Sequence, residues 1–220
     1  MASQNIASPA INSGVERQTP VSRRELSKLE TRQQIRLAAK SVFGSLGFEK
    51  ATIRDIAAEA GVGLGTVMLY AQDKRDLVLL MYTDEIALAL ARAEKTIDER
   101  LTTAENLFRF LGIFYRDYMR NILLARTYLQ MSFYPDGMNT DRLYEHRKKK
   151  LAIIAGLIAC GQNRNEVRFD LPAQDIAEQI LLLHRASVRA WIAADAPSLR
   201  DGLMALKKSL KYQLEGFSAH

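Results

Sequence analysis

The chain has 220 residues, 48% of them hydrophobic, enough to bury a core in one or two domains. Its formal net charge of +6 is uneven: residues 1–75 carry 11 Lys and Arg against 7 Asp and Glu, leaving 20 against 18 for the remainder, so the basic first third is the part expected to meet a polyanion. The single cysteine, Cys160, excludes an intrachain disulfide framework, and no segment approaches the roughly 18 uncharged apolar residues of a membrane span; a cytoplasmic protein, neither exported nor membrane-bound, is the expectation.

Residues 1–26 are polar and rich in Ser, Asn, Gln and Pro, which predicts a disordered arm ending in Arg23 and Arg24. From Ser27 onward the apolar spacing is helical and no stretch alternates like a strand, so the fold class is all-α. Ser27 with Glu30 has the capping-box pattern, and Ile35, Ala38, Ala39, Val42, Phe43 and Leu46 repeat at helical spacing until Gly47. Thr52 with Asp55 repeats the cap before a helix of about two turns that ends at Gly61. A third helix follows, roughly Leu64 to Tyr70, and Asp73 with Asp76 caps a long fourth one from Lys74.

Beyond residue 100 about six more helices are expected. Thr102 with Glu105 opens the first, Tyr134-Pro135-Asp136-Gly137 closes the next, and Gly161 and Leu171-Pro172 bracket a later loop. The last two helices are apolar. One carries Ile176, Ile180, Leu183, Ser187, Val188, Trp191 and Ile192; the other carries Leu199, Leu203, Leu206, Leu210, Leu214 and Phe217 in a seam. Such a terminal pair suits a homodimer, and the same seam would equally cover the subunit's own core.

Two short helices joined by Gly61-Val62-Gly63 have the form of a DNA-binding helix-turn-helix, whose second helix enters the major groove. From Thr31 to Leu80 the chain resembles the TetR family of regulators. The likeness rests on Ser45-Leu46-Gly47-Phe48, Ala51-Thr52-Ile53-Arg54-Asp55-Ile56-Ala57, Ala60-Gly61-Val62, Gly65-Thr66-Val67 and Asp73-Lys74-Arg75-Asp76-Leu77. It implies a helix-turn-helix domain over 27–74 and an effector-binding, dimerising bundle over 75–220. It also implies DNA contacts by Thr52, Arg54, Leu64, Gly65, Thr66, Met68, Leu69, Tyr70 and Lys74. Thr52 would meet a phosphate and Arg54 a base edge, with Tyr70 and Lys74 acting as phosphate clamps. Met68 and Ala71 stand where the family usually has aromatics, so readout is expected to lean on Arg54, on apolar contact with thymine methyls and on DNA shape. The basic residues Arg23, Arg24 and Lys28 give the arm a possible reach into an adjacent groove.

The resemblance places an effector site among the aromatics of residues 108–134, and Phe114, Tyr118, Met131, His184 and Trp191 are its expected lining for an apolar or aromatic small molecule. His184 reads first as a satisfied interior histidine, Cys160 as a small interior residue, and Arg147 through Lys150 as a solvated face. No catalytic residue, metal site or cofactor is expected. His146, His184 and His220 lack metal spacing, no Ser or Cys motif marks a nucleophile, and Gly61-x-Gly63-x-Gly65 follows a helix and lacks the Lys of a phosphate loop. The implied function is a repressor released from palindromic double-stranded operator DNA by an effector. An architectural DNA-binding protein without an effector, or an all-α enzyme, remains the alternative.

Overall fold

The computed structural model describes residues 22–216, and among the described residues there are nine helices and no strand. In chain order they are α1 (Arg23–Lys50), α2 (Ile53–Glu59), α3 (Leu64–Met68), α4 (Lys74–Glu94), α5 (Thr103–Met119), α6 (Ile122–Met131), α7 (Thr140–Asn163), α8 (Ala173–Ile192) and α9 (Leu199–Glu215). Five helices thus follow residue 100 rather than six.

Helix α1 starts earlier than the apolar stripe suggests. Ser22, not Ser27, is the cap: its hydroxyl accepts from the Glu25 amide at 3.2 Å while Glu25 accepts the Ser22 amide at 2.8 Å. Ser27 lies inside the helix, where its carbonyl accepts the Thr31 hydroxyl. Leu26 and Leu29 in this extension are exposed, so burial leaves no mark on the sequence there and only the cap defines the start. Arg23, Arg24 and Lys28 therefore stand on a helix instead of a flexible arm. The expected disordered segment falls, for residues 1–21, outside the described residues.

The caps at Thr52, Asp73 and Thr102 form as expected, each side chain accepting an amide three residues on. Ile35, Ala38, Ala39, Val42 and Phe43 of α1 are buried, and α1 packs on α2, α4 and α6. Helix α5 buries Leu107, Phe110, Leu111, Phe114, Tyr115 and Tyr118 against α4, α7 and α9. Leu206 and Leu210 of the terminal seam are buried against α5 and α8 of the same chain, so the seam covers the subunit's own core; Phe217 lies outside the described residues. Cys160 is exposed, not interior.

Two polar constructions join α4 to its surroundings. Asp84 receives Arg32 at 2.6 Å, Arg142 at 3.2 Å and Arg36 at 3.7 Å, and Glu85 receives Lys40 and Arg36, so α1, α4 and α7 meet around one pair of carboxylates. The second is tighter. Asp76, 0% exposed, accepts the amides of Gln72, Met138 and Asn139 and the Asn139 side-chain amide at 3.0–3.1 Å, and Asn139 also donates to the Tyr70 carbonyl at 2.9 Å. A buried carboxylate is tolerable only when so supplied with donors. Gly137, at φ +129°, leaves the room: a Cβ there would lie 2.6 Å from the Asp76 carboxyl.

Replacing Asp76 with Ala strands these buried N–H groups, and each costs about 1–3 kcal/mol when left unpaired. A loss of about 3 kcal/mol is expected, read as a lower urea midpoint with an unchanged slope.

Candidate nucleic-acid interface and the recess behind it

The two short helices are set by their own local chemistry. Thr52 and Asp55 cap each other reciprocally, with the Thr52 hydroxyl 2.7 Å from the carboxylate, which pulls the Asp55 pKa below its usual range. Gly61 turns the chain at φ +66°, a conformation that favours glycine, and the Val62 amide returns to the Ala57 carbonyl at 3.1 Å. Ile56, Ala57 and Val67 are buried between the helices, with Ile53 and Val62 packed at their edge.

What this core leaves outside is an apolar, nearly uncharged face. Leu64, Met68 and Leu69 are exposed, Leu69 by 72%, beside exposed Gly65 and half-buried Thr66. Thr52 and Arg54 are exposed at the start of α2. Tyr70 and Lys74 flank the face and are anchored to α1. The Tyr70 hydroxyl donates to the Lys28 carbonyl at 3.2 Å; the Lys74 ammonium donates to the Glu49 carbonyl at 3.1 Å and lies 4.4 Å from the Phe48 ring centre.

Residues 35–81 match the sequence model of the bacterial regulatory proteins of the tetR family. Over that stretch the chain is similar to the DNA-binding part of the TetR family. It is 25% identical, over 74% of this chain and 81% of the relative, to the HTH-type transcriptional repressor BepR of Brucella suis biovar 1. In three dimensions it is similar to the transcriptional regulator FadR of Bacillus subtilis in complex with stearoyl-CoA, with a TM-score of 0.67, 24% identity and coverage of 84% of this chain and 99% of that one. Thermus thermophilus FadR, a TetR-family repressor in complex with lauroyl-CoA, gives a TM-score of 0.70 at 21% identity, covering 86% and 96%. With this helix-turn-helix and this likeness to a repressor, the chain is a DNA-binding transcriptional regulator.

Behind the helix-turn-helix, α4 to α8 enclose a recess of about 60 Å³ lined by Tyr118, Tyr128, Ser132, Lys150, His184 and Arg185 among others. Of the expected effector residues, Tyr118 and His184 line it. Phe114 lines a second recess of about 60 Å³ together with Tyr118, Met81 and Leu124, and Ile86 and Tyr118 are common to the two. Met131 and Trp191 reach neither. Met131 is buried in the core; Trp191 donates to the Ser198 carbonyl at 2.7 Å, lies tilted against the Tyr115 ring and closes over Gly202, fixing the α8–α9 corner.

The basic run of α7 is not a solvated face throughout. Lys148 and Lys149 point to Glu145 and Glu94, but Arg147 and Lys150 turn inward. Lys150 lies 3.3 Å from the Phe114 ring centre, and Arg147 donates to the Ser132 carbonyl. Burial, then the neighbouring Arg185 and Arg147, pull the Lys150 pKa down to about 7. His184 is held well below the ordinary histidine value, first by burial and then by Lys150 and Arg185, and its Nδ1 has no hydrogen-bond partner. It is interior, as expected, but not satisfied. A signal for these inward cations exists in the sequence: Leu143, Arg147, Lys150, Ile154 and Leu157 step by four, three, four and three, placing two bases in an otherwise apolar stripe.

The unfolded lysine titrates near 10.5 and the folded one near 7, so the unfolded chain holds the extra proton between those values and stability rises with pH across that window. Below pH 7 the cost of the buried charge is fully present. Chemical denaturation of the wild type and Lys150→Met should therefore show the variant ahead at pH 7, with its lead shrinking towards pH 10.

Proposed function

We propose that the protein is a dimeric, effector-released repressor, with residues 22–74 reading a palindromic operator and residues 75–220 holding the effector and the dimer contact. The observation that carries this reading is the hydrogen-bonded join between the recognition helix and the effector recess. Asn139 holds the Tyr70 carbonyl at the end of that helix and Asp76 holds the amides of Met138 and Asn139. The same loop begins at Ser132 and Phe133, where Arg147 donates to the Ser132 carbonyl and Arg185 and Arg189 lie 5.1 and 4.7 Å from the Phe133 ring centre. A molecule that draws Arg147 or Arg185 into the recess pulls on one end of a segment whose other end is bonded to α3 and α4. An effector that binds this rearranged state more tightly than the DNA-competent one shifts the population by that difference and no more.

On the DNA side, Arg54 would take a base edge and the exposed Leu64, Met68 and Leu69 would face thymine methyls, with Gly65 allowing close approach and Thr66 and Thr52 adding polar contact. Tyr70 and Lys74 would hold phosphates, which requires them to leave or share their carbonyl partners on α1. Exposed Leu183 on α8 and Met204 on α9, with small exposed Ala186 and Ala190, support a partner subunit packed on the outer face of the terminal pair. Two recognition helices related by a two-fold then meet half-sites about one helical turn, roughly 34 Å, apart. The acyl-CoA complexes of the two FadR proteins make an apolar-tailed effector the class supported by comparison.

Selection from a random duplex library, followed by band-shift titration, tests this. Arg54→Ala should lose about 1–3 kcal/mol per half-site and relax one base position in each. Lys74→Met should weaken every duplex alike and reduce the salt slope by about 0.9 per half-site. A protein with no preference over random competitor, or one that binds a single half-site as well as the palindrome, refutes the reading. Release of the selected duplex by an apolar-tailed molecule, tried both as lauroyl-CoA and as the free fatty acid, is the matching effector assay.

A further inference from the structure

The recess between α6, α7 and α8 carries more positive charge than anything beside it offsets. Arg147, Lys150 and Arg185 line it, with His146 and His184, and no carboxylate does. The acids on the elements packed around it are engaged elsewhere. Asp84 is held by Arg32, Arg36 and Arg142; Glu85 is held by Lys40 and Arg36; Asp117 of α5 is held by Arg92 and Arg120. Among the described residues, Lys150 has no ion pair and only the face of Phe114 against its ammonium. His184, 4% exposed, lines the same space, and its Nδ1 has no hydrogen-bond partner. Concentrating like charges in a low-dielectric recess is unfavourable unless something negative enters it.

We propose that this recess binds the anionic head of a small organic acid, with Lys150 and Arg185 supplying the counter-charge, Arg147 adding to it from α7, and His184 bonding the head's second oxygen. The proposal rests on the effector-released reading above and names the chemistry of its ligand. About 60 Å³ holds a head of a few heavy atoms and not a nucleotide. The tail has a direction, because Ile86 and Tyr118 separate the cationic recess from the second one, whose lining offers apolar Met81, Tyr82, Ala89, Phe114 and Leu124 as well as the polar Lys40, Glu85, Asp117, Arg120 and Asn121. A Tyr118 rotation would join the two into one slot with a charged end and a greasy end. The matching molecule is a free carboxylic acid with a short or medium alkyl tail, entering head first. An amide or alcohol of the same shape leaves the cations as they are.

A carboxylate beside Lys150 favours its ammonium form, so binding above pH 7 is coupled to proton uptake. Affinity is highest below pH 7 and falls as pH rises, by up to about tenfold per unit until the complex itself titrates. Tyr118 and Tyr128 line the recess too, but burial raises their pKa values well above this range, and His184 is already neutral at pH 7.

The test is isothermal titration of the full chain, without DNA, with octanoate and with octanamide at pH 8 in two buffers of different ionisation enthalpy. The expected result is octanoate binding at least tenfold tighter than octanamide, with close to one proton taken up, and loss of both features in Lys150→Met. Thermal melting establishes that this variant is folded, and Arg185→Gln, which leaves Lys150 in place, should weaken octanoate by about tenfold. Equal binding of acid and amide, no octanoate binding, or an unchanged affinity in both variants overturns the proposal. Because DNA is absent from the titration, a protein that fails to recognise any operator still gives a clear answer here. One that releases its operator to other molecules while ignoring octanoate loses this inference alone.

Discussion

A carboxylate withdrawn from water has to be given its hydrogen bonds by the protein, and at Asp76 the donors come from two sides of the molecule. Gln72 supplies one from the turn after the recognition helix; Met138 and Asn139 supply the rest from the loop between α6 and α7. The first turn of α4 is therefore fixed to that loop, and α3 is fixed with it through the Asn139 contact to Tyr70. Gly137 is the steric condition for this arrangement, since any side chain there would occupy the carboxylate's position. The ion-pair group at Asp84 and Glu85 adds a second attachment two turns further along α4, binding α1 and α7 to it. Together they make the helix-turn-helix and the loop beside the recess one mechanically continuous piece.

Opposite electrostatics distinguish the two ends of that piece. The acidic end is saturated: every contact of the Asp76 and Asp84 carboxylates is with a donor or a cation already in the fold. At the basic end, Lys150 rests on an aromatic face, and a cation–π contact of about 1–2 kcal/mol is a weak substitute for a counter-ion. Arg147 and Arg185 occupy themselves with the Ser132 carbonyl and the Phe133 ring, both of which belong to the loop that Asp76 holds. Competition for those two arginines is thus the physical means by which an anion in the recess would be felt at the recognition helix. It requires no change in the core of α5, α8 and α9, where Trp191 over Gly202 and the buried leucines of α9 fix the far end of the bundle.

Local chemistry made the helix-turn-helix readable before any coordinates. The reciprocal cap of Thr52 and Asp55, the left-handed Gly61 and the apolar Ile56, Ala57 and Val67 are short-range features, and each is found where its spacing implies. The start of α1 was not legible because its first turns bury nothing, so the apolar stripe carries no sign of the Ser22 cap. The terminal seam of α9 was legible as apolar, but its partner was not: a stripe of leucines looks the same whether it meets its own α5 and α8 or a second subunit. Trp191 and Met131 are an aromatic and a soft apolar residue on the expected helices, and which way each one points is a question of rotamer and neighbour that spacing does not answer.

The sequence by itself determined the all-helical class, the caps and turn of the DNA-binding unit and its likeness to the TetR family, because these depend on residues within a few positions of one another. Only the tertiary structure decided that Asp76 meets Asn139 across 63 residues, and that Lys150, Arg185 and His184 share one unneutralised space while their neighbours Lys148 and Lys149 face outward. The reason is that the energy of a charge depends on what surrounds it in three dimensions. A lysine within a basic run carries no record in the chain of whether water or a phenyl ring will be its solvent.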